Sequence, residues 1–180
     1  YVYTVLEPSA GKGNIADYVK RKATRSGWRS KEVDIDCIEI DEQLKHILKG
    51  KGYPVVHNDF LSFNTYKRYD LIIMNPPFSN GAAHLTKALE LQKHGGAIIC
   101  ILNAETIRNP YTNERKTLVT ALREYNAEIT YMQHEFMDAE RKTDVEIAVV
   151  KVLIPEKEKV SVIYEEMKKK HYAEAREQEQ

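Results

Sequence analysis

Short apolar runs alternate along this chain with stretches whose apolar positions recur every three or four residues. The first pattern predicts strands and the second amphipathic helices. Their regular alternation predicts an α/β domain built on a mostly parallel sheet. Val2–Glu7 is the first strand, and it runs into a turn rich in Gly. Asn14 caps a helix running to about Ser26, with Ile15, Tyr18 and Val19 on one face, and Gly27 ends it. Asp34–Ile40 is the second strand, and Glu42–Lys49 a short helix closed by Gly50 and Gly52. Pro54–Asn58 and Asp70–Met74 are the third and fourth strands, and Ala83–Gln92 is a helix stopped by Gly95-Gly96. Ala97–Leu102 is apolar throughout, which predicts a central strand buried on both faces. Arg115–Tyr125 is helical, Glu128–His134 and Val145–Leu153 are the last two strands, and Pro155 stops the second of them. From Glu156 onward the chain is charged. Val160–Tyr164 can add a short strand, and Glu165–Gln180 reads as a solvated helix or a frayed end. The pattern therefore gives one domain over residues 1–154 and a charged extension over 155–180.

Composition narrows this picture without redirecting it. The chain has 180 residues, 42% hydrophobic and 30% charged, and its 27 basic and 27 acidic side chains cancel. That excludes a disordered tail, a collagen-like repeat and a disulfide scaffold. No apolar stretch reaches the ~18 residues that a membrane-spanning helix needs. The opening YVYTVLEPSAGKG has no secretory character, and a start at Tyr1 without Met reads as a fragment. Neutral net charge argues against a surface wrapped entirely by nucleic acid, yet permits a local basic cleft. Cys37 and Cys100 lie inside apolar runs and read as buried hydrophobes of a reducing compartment, the cytoplasm. The six histidines show no metal-ligand spacing, so no metal is expected. Lys20, Arg21, Lys22, Arg25, Arg29 and Lys31 read as a solvated helix face and its exit.

Four segments carry candidate chemistry, each just past a strand, where open α/β sheets bind ligands. The first is Glu7-Pro8-Ser9-Ala10-Gly11-Lys12-Gly13, a strand-to-helix turn. Gly11 and Gly13 let backbone pass close to a ligand, or simply make a tight turn. In the second, Cys37-Ile38-Glu39-Ile40-Asp41, the Glu39 carboxylate can accept two ribose hydroxyls, or be a solvated strand-end acid. The third is Asn58-Asp59-Phe60. Asp59 can hold an adenine amino group beneath the Phe60 ring, or it can start a turn ahead of a core Phe. The fourth, Asn75-Pro76-Pro77-Phe78, follows the apolar strand Leu71–Met74 and is the most specific. Two prolines fix φ and remove two backbone donors. The Asn75 side-chain oxygen and a neighbouring carbonyl then form two fixed acceptors, which suits an NH2 group with two protons to give. Phe78 offers a flat face for a planar ring.

In this order, EPSAGKG, IEID, NDF and DLIIMNPPF resemble class I S-adenosylmethionine-dependent methyltransferases. Within that class they are similar to the amino-methyltransferases that modify adenine N6 in DNA, with the gamma-type motif order. The run MNPPFSNGAAHLTKALELQKHGGAIICIL also looks like the stand-alone methylases of phages and mobile elements. The match extends from about Val2 to Leu153. It implies a Rossmann-like seven-stranded, mostly parallel sheet with helices on both faces and the last strand antiparallel. It implies S-adenosylmethionine as cofactor, held by Glu7, Pro8, Ser9, Ala10, Gly11, Gly13, Glu39, Ile40, Asp59, Phe60 and Asn75. It implies target binding by Asn75, Pro76, Pro77 and Phe78, where Asn75 and the Pro76 carbonyl take the amino group and Phe78 stacks on the base. The partner is DNA with its target adenine flipped out, and no membrane is involved. It implies an upstream segment holding the methionine end of the cofactor, and either a recognition domain or subunit outside these residues or an enzyme of short or relaxed specificity. The same tetrapeptide also occurs in enzymes acting on RNA and on protein glutamine, and a non-catalytic binding module is the remaining reading.

The chemistry of such a site follows from the amino group. Its lone pair is delocalised into the ring, so two hydrogen bonds from its protons localise that pair and stabilise the charge that develops on methylation. Arg108, Arg115 and Lys116 after the fifth strand, and Arg141 and Lys142 before the last, are loop cations that can meet phosphates or be solvated loop charges.

Overall fold

The computed structural model describes residues 2–25, 32–135 and 144–156. The seven strands are β1 (Tyr3–Pro8), β2 (Val33–Ile38), β3 (Val55–His57), β4 (Leu71–Met74), β5 (Gly96–Asn103), β6 (Glu128–Glu135) and β7 (Asp144–Ile154). Five helices accompany them: α1 (Asn14–Arg25), α2 (Glu42–Gly50), α3 (Gly81–Leu91), α4 (Glu105–Arg108) and α5 (Asn113–Glu124). Short 3-10 turns lie at Phe60–Ser62 and Phe78–Asn80. Residues 157–180 fall outside the described part, and with them the strand and tail expected there.

One seven-stranded sheet has the order β3-β2-β1-β4-β5-β7-β6. β1 pairs in parallel with β2 and β4, β2 with β3, and β4 with β5. β7 alone runs against its neighbours, lying antiparallel to both β5 and β6. The mostly parallel sheet with its last strand reversed is therefore as the sequence implied. The winding direction changes between β1 and β4, and such a switch point opens a crevice at the carboxyl ends of those strands.

Alternation along the strands sends side chains to two cores. Val5, Ile35 and Cys37 pack with Ala16 of α1 and Leu48 of α2 on one face. Leu6, Ile72, Met74, Ile98 and Val150 pack with Leu85 of α3 and Leu118 of α5 on the other. Helices thus cover both faces, but unequally. In β5, Ile98, Cys100 and Leu102 are fully buried while Ala97, Ile99 and Ile101 are only partly so. The expectation that this strand is buried on both faces needs that correction. Both α3 and α5 pack on the Ile98 side, leaving the other side of β5 less covered among the described residues.

Cys37 and Cys100 are buried free thiols, and burial pushes the Cys37 thiol up to about 12. No described helix is long and apolar enough to cross a membrane. Among the described residues no group of His, Cys, Asp and Glu is arranged to hold a metal.

Candidate active site

The turn after β1 is tied down by carboxylates. Ser9, Gly11 and Gly13 all have left-handed φ, at 59°, 57° and 77°. Left-handed backbone is costly for a side chain such as that of Ser9, so the surrounding bonds must hold it. The Ala10 N–H donates to the Ile38 carbonyl at 2.9 Å. The Gly11 N–H donates to Glu39 Oε2 at 2.7 Å, and the Asp41 N–H donates to Oε1 of the same carboxylate at 2.9 Å. Each of those oxygens keeps a second lone pair for a hydroxyl. Glu7 lies deeper, 2% exposed, and its Oε2 accepts from the Ala16 N–H at 2.8 Å. It satisfies a donor in the first turn of α1, where helix N–H groups lack partners. Burial is the main cause that raises its carboxyl to about 7.

The two glycines do different work. A side chain on Gly11 would meet nothing within 4 Å, whereas one on Gly13 would meet Leu48 Cδ2 at 2.8 Å. Gly13 therefore permits close packing of the turn on α2.

A cavity of about 830 Å³ opens where β1, β2 and β4 end. Of the residues singled out in the sequence, Ser9, Glu39, Ile40, Asp59, Phe60, Asn75, Pro76, Pro77 and Phe78 line it. Glu7, Pro8, Ala10, Gly11 and Gly13, also singled out in the sequence, are not among its lining residues. Ile40 is 73% exposed, an apolar side chain lining the cavity and largely uncovered by the described residues. Asp59 Oδ1 accepts from the Leu61 N–H at 3.0 Å and starts the 3-10 turn that carries Phe60. Phe60 is 2% exposed, a core ring with an edge in the cavity wall.

The segment after β4 keeps its acceptors open. Asn75 is exposed, and its side chain has no hydrogen-bond partner among the described residues. Pro76 is buried. The Pro77 carbonyl accepts from the Asn80 N–H at 3.0 Å, which closes the turn at Phe78–Asn80. No described residue donates to the Pro76 carbonyl. Phe78 is half-buried and part of the wall.

The wall also contains Ile38 and Asn58, which lay in the candidate segments without a role, and Leu61, Asn80, His84 and Val145, which lay outside them. Asn58 is held by Lys45, whose Nζ is 2.8 Å from Asn58 Oδ1 and 2.5 Å from Glu42 Oε1. Lys45 is 5% exposed, three residues before the buried Leu48 on α2. His84 is 6% exposed and sits beside Leu85 and one turn before Ala88 on the buried stripe of α3. The signal for both was a polar side chain on an apolar stripe.

The cations expected on loops are placed differently. Arg108 ends α4, pairs with Glu146 at 2.8 Å and lies 4.1 Å over the Tyr131 ring. Arg115 is on α5, 4.7 Å over the Tyr111 ring, and Lys116 is exposed on the same helix. Local helix formation, capped by Asn103 and Thr112, took these residues out of the loops. Arg141 and Lys142 lie outside the described residues. Lys20, Arg21 and Lys22 are exposed on α1 as read, while Arg29 and Lys31 lie outside the described residues.

The family model described as "Methyltransferase small domain" matches residues 3–132. No curated protein sequence matches the chain. Among solved structures, the type I restriction-modification methyltransferase subunit from Streptococcus thermophilus is similar at 16% identity and TM-score 0.66, over 88% of this chain and 40% of that one. The 23S rRNA methyltransferase ErmE is similar at 17% identity and TM-score 0.58, over 84% of this chain and 61% of that one. A dimethyladenosine transferase from Plasmodium falciparum is similar at 15% identity and TM-score 0.57, over 83% of this chain and 54% of that one. The chain spans less than two thirds of each of these three. At such identities the likeness is one of fold.

Proposed function

From a chain that belongs to the methyltransferase small domain family, and whose cofactor is S-adenosylmethionine, we propose transfer of the methyl group to the exocyclic N6 amino group of adenine in DNA. The observation that carries this reading is the pair of unused acceptors at Asn75 and the Pro76 carbonyl, beside the Phe78 ring, in the wall of the cavity.

The cavity suits the cofactor at its other end. Glu39 offers a lone pair on each oxygen to the ribose, Ile40 an apolar face to the adenine, and Asp59 an acceptor for its amino group. When bound, the cofactor supplies a methyl group on positively charged sulfur, and a new N–C bond forms as the C–S pair leaves on sulfur. Asn75 Oδ1 and the Pro76 carbonyl accept the two protons of the target NH2. They localise its lone pair and oppose the positive charge that grows on nitrogen. The Pro76 carbonyl is fixed beforehand by the two prolines and the Asn80-to-Pro77 bond, so that acceptor needs little reorganisation during the reaction. Phe78 stacks on the base. In duplex DNA the base must first leave the helix, which costs a few kcal/mol. Stacking returns about 1–3 kcal/mol of that.

On this reading residues 1–154 are the catalytic domain and 155–180 a charged extension. Choice of DNA sequence belongs to a further domain or subunit, since a single cavity with one base-stacking ring reads one base. The setting is a bacterial or phage-encoded enzyme of the cytoplasm, where buried thiols such as Cys37 stay reduced.

The test is transfer of labelled methyl to unmethylated DNA, ribosomal RNA and a glutamine peptide in parallel, with Asn75→Ala as control. Label on DNA adenine, lost in the control, supports the proposal. Label confined to RNA or peptide moves the substrate and keeps the amino-group chemistry. Cofactor binding without transfer to any of the three overturns it.

A further inference from the structure

Methylation of an amino group leaves a nitrogen with one proton too many, and we propose that His84 Nε2 accepts that proton. The inference rests on the amino-group reading of the same cavity. Asn75 and the Pro76 carbonyl can hold the amino protons but cannot take one, because neither an amide nor a peptide carbonyl is basic enough to keep it.

His84 is built for the task. It projects from α3, six residues past Phe78, and is 6% exposed in the cavity wall. Its Nδ1 lies 2.9 Å from the Asn80 carbonyl. A carbonyl only accepts, so Nδ1 carries the hydrogen, and in the neutral ring Nε2 is then a lone pair. No buried side-chain nitrogen or oxygen in the described residues lacks a partner. Nε2 has no protein partner among those residues, so it is the ring nitrogen that meets the cavity. The other titratable groups in the wall, Glu39 and Asp59, hold the Gly11, Asp41 and Leu61 N–H groups and on the proposed reading turn their remaining lone pairs to the cofactor.

The step balances simply. As the N–C bond forms, the N–H electron pair stays on nitrogen and the proton passes to Nε2, directly or through one water. The ring becomes an imidazolium that later yields the proton to solvent. The surroundings suit that charge. Nδ1–H keeps its bond to the Asn80 carbonyl in both states, and this bond becomes charge-assisted in the second. The Phe60 ring is 5.7 Å away, centroid to centroid, within the reach of a cation–π contact.

The test compares His84→Gln and His84→Phe with the unaltered chain in single-turnover methylation of an adenine-containing oligonucleotide. Binding of S-adenosylmethionine is measured separately by calorimetry. Cofactor affinity and oligonucleotide KM stay near the unaltered values. The transfer rate constant falls at least ~10-fold in both variants, as loss of a proton acceptor does. Unchanged rate constants in the variants, with Asn75→Ala inactive, overturn the role of His84 and leave the substrate reading intact. Inactivity of the unaltered chain on DNA, RNA and peptide overturns both. Nitrogen-15 NMR of the histidine-labelled unaltered chain gives a readout that needs no variant. The expected spectrum shows His84 protonated at Nδ1 with Nε2 bare, and Nε2 shifting when deoxyadenosine is added. A hydrogen on Nε2 instead overturns the proposal.

Discussion

Replacing Glu7 by Gln probes the turn after β1, whose Ser9 lines the cavity. Glu7 is buried beneath that turn, and desolvation raises its carboxyl from 4.5 to about 7 despite the bond from the Ala16 N–H. The folded state therefore holds the proton more tightly than the unfolded chain. The stability this contributes is fully present below pH 4.5 and is lost as the pH rises through about 7. At about 1.4 kcal/mol for each tenfold change, the gap amounts to about 3 kcal/mol. A Gln side chain keeps a carbonyl for the Ala16 N–H and has no charge to bury. Urea unfolding of both proteins at about pH 4 and about pH 8 isolates the effect, because every other titrating group cancels in the difference. Glu7→Gln is expected to match the unaltered chain at the lower pH. At the higher pH it is expected to be more stable, by about 3 kcal/mol. A stability difference that is the same at both pH values refutes the argument that burial, with charge as the variable, dominates at this site.

Other consequences are as specific. Gly13→Ala puts a methyl 2.8 Å from Leu48 Cδ2 at φ +77°. Strain of about 1–2 kcal/mol and overpacking of about 1–3 kcal/mol then add in thermal or urea unfolding. Gly11→Ala, with nothing within 4 Å, loses only the strain, so equal losses at the two positions argue against the packing account. Glu39→Gln turns one acceptor into a donor facing the Gly11 or Asp41 N–H, and calorimetry should show cofactor affinity lower by about 1–3 kcal/mol; unchanged affinity removes Glu39 from the site. Phe78→Ala should raise the oligonucleotide KM by the equivalent of about 1–3 kcal/mol of stacking while sparing cofactor affinity. A loss in cofactor affinity instead would place the ring against the cofactor.

Much of the molecule is readable one segment at a time. Strand and helix identities follow from local periodicity, and the seven strands appear in the structure in the order and places the pattern predicts. The Asn75–Phe78 segment is legible for the same reason. Two prolines constrain their own backbone whatever surrounds them, so two open acceptors and a ring follow from four consecutive residues. What local pattern cannot report is which side of an element meets which partner. Ser9 and Asn75 share one cavity because β1 and β4, far apart in sequence, pair at the switch point of the sheet. Gly13 looks like a ligand-facing glycine until α2 brings Leu48 against it. The short helices α4 and α5 carry Arg108 and Arg115 onto tyrosine rings. Lys45 and His84 look like faults in apolar stripes until folding shows a buried ammonium holding Asn58 and an imidazole bound at one nitrogen and open at the other. Sequence by itself determined the seven strands, the longer helices and the constrained Asn75–Phe78 segment, because these depend on neighbours along the chain. Only the tertiary structure decided the cavity, its carboxylate ties and its histidine, because those depend on contacts between residues that the chain brings together only when the sheet closes.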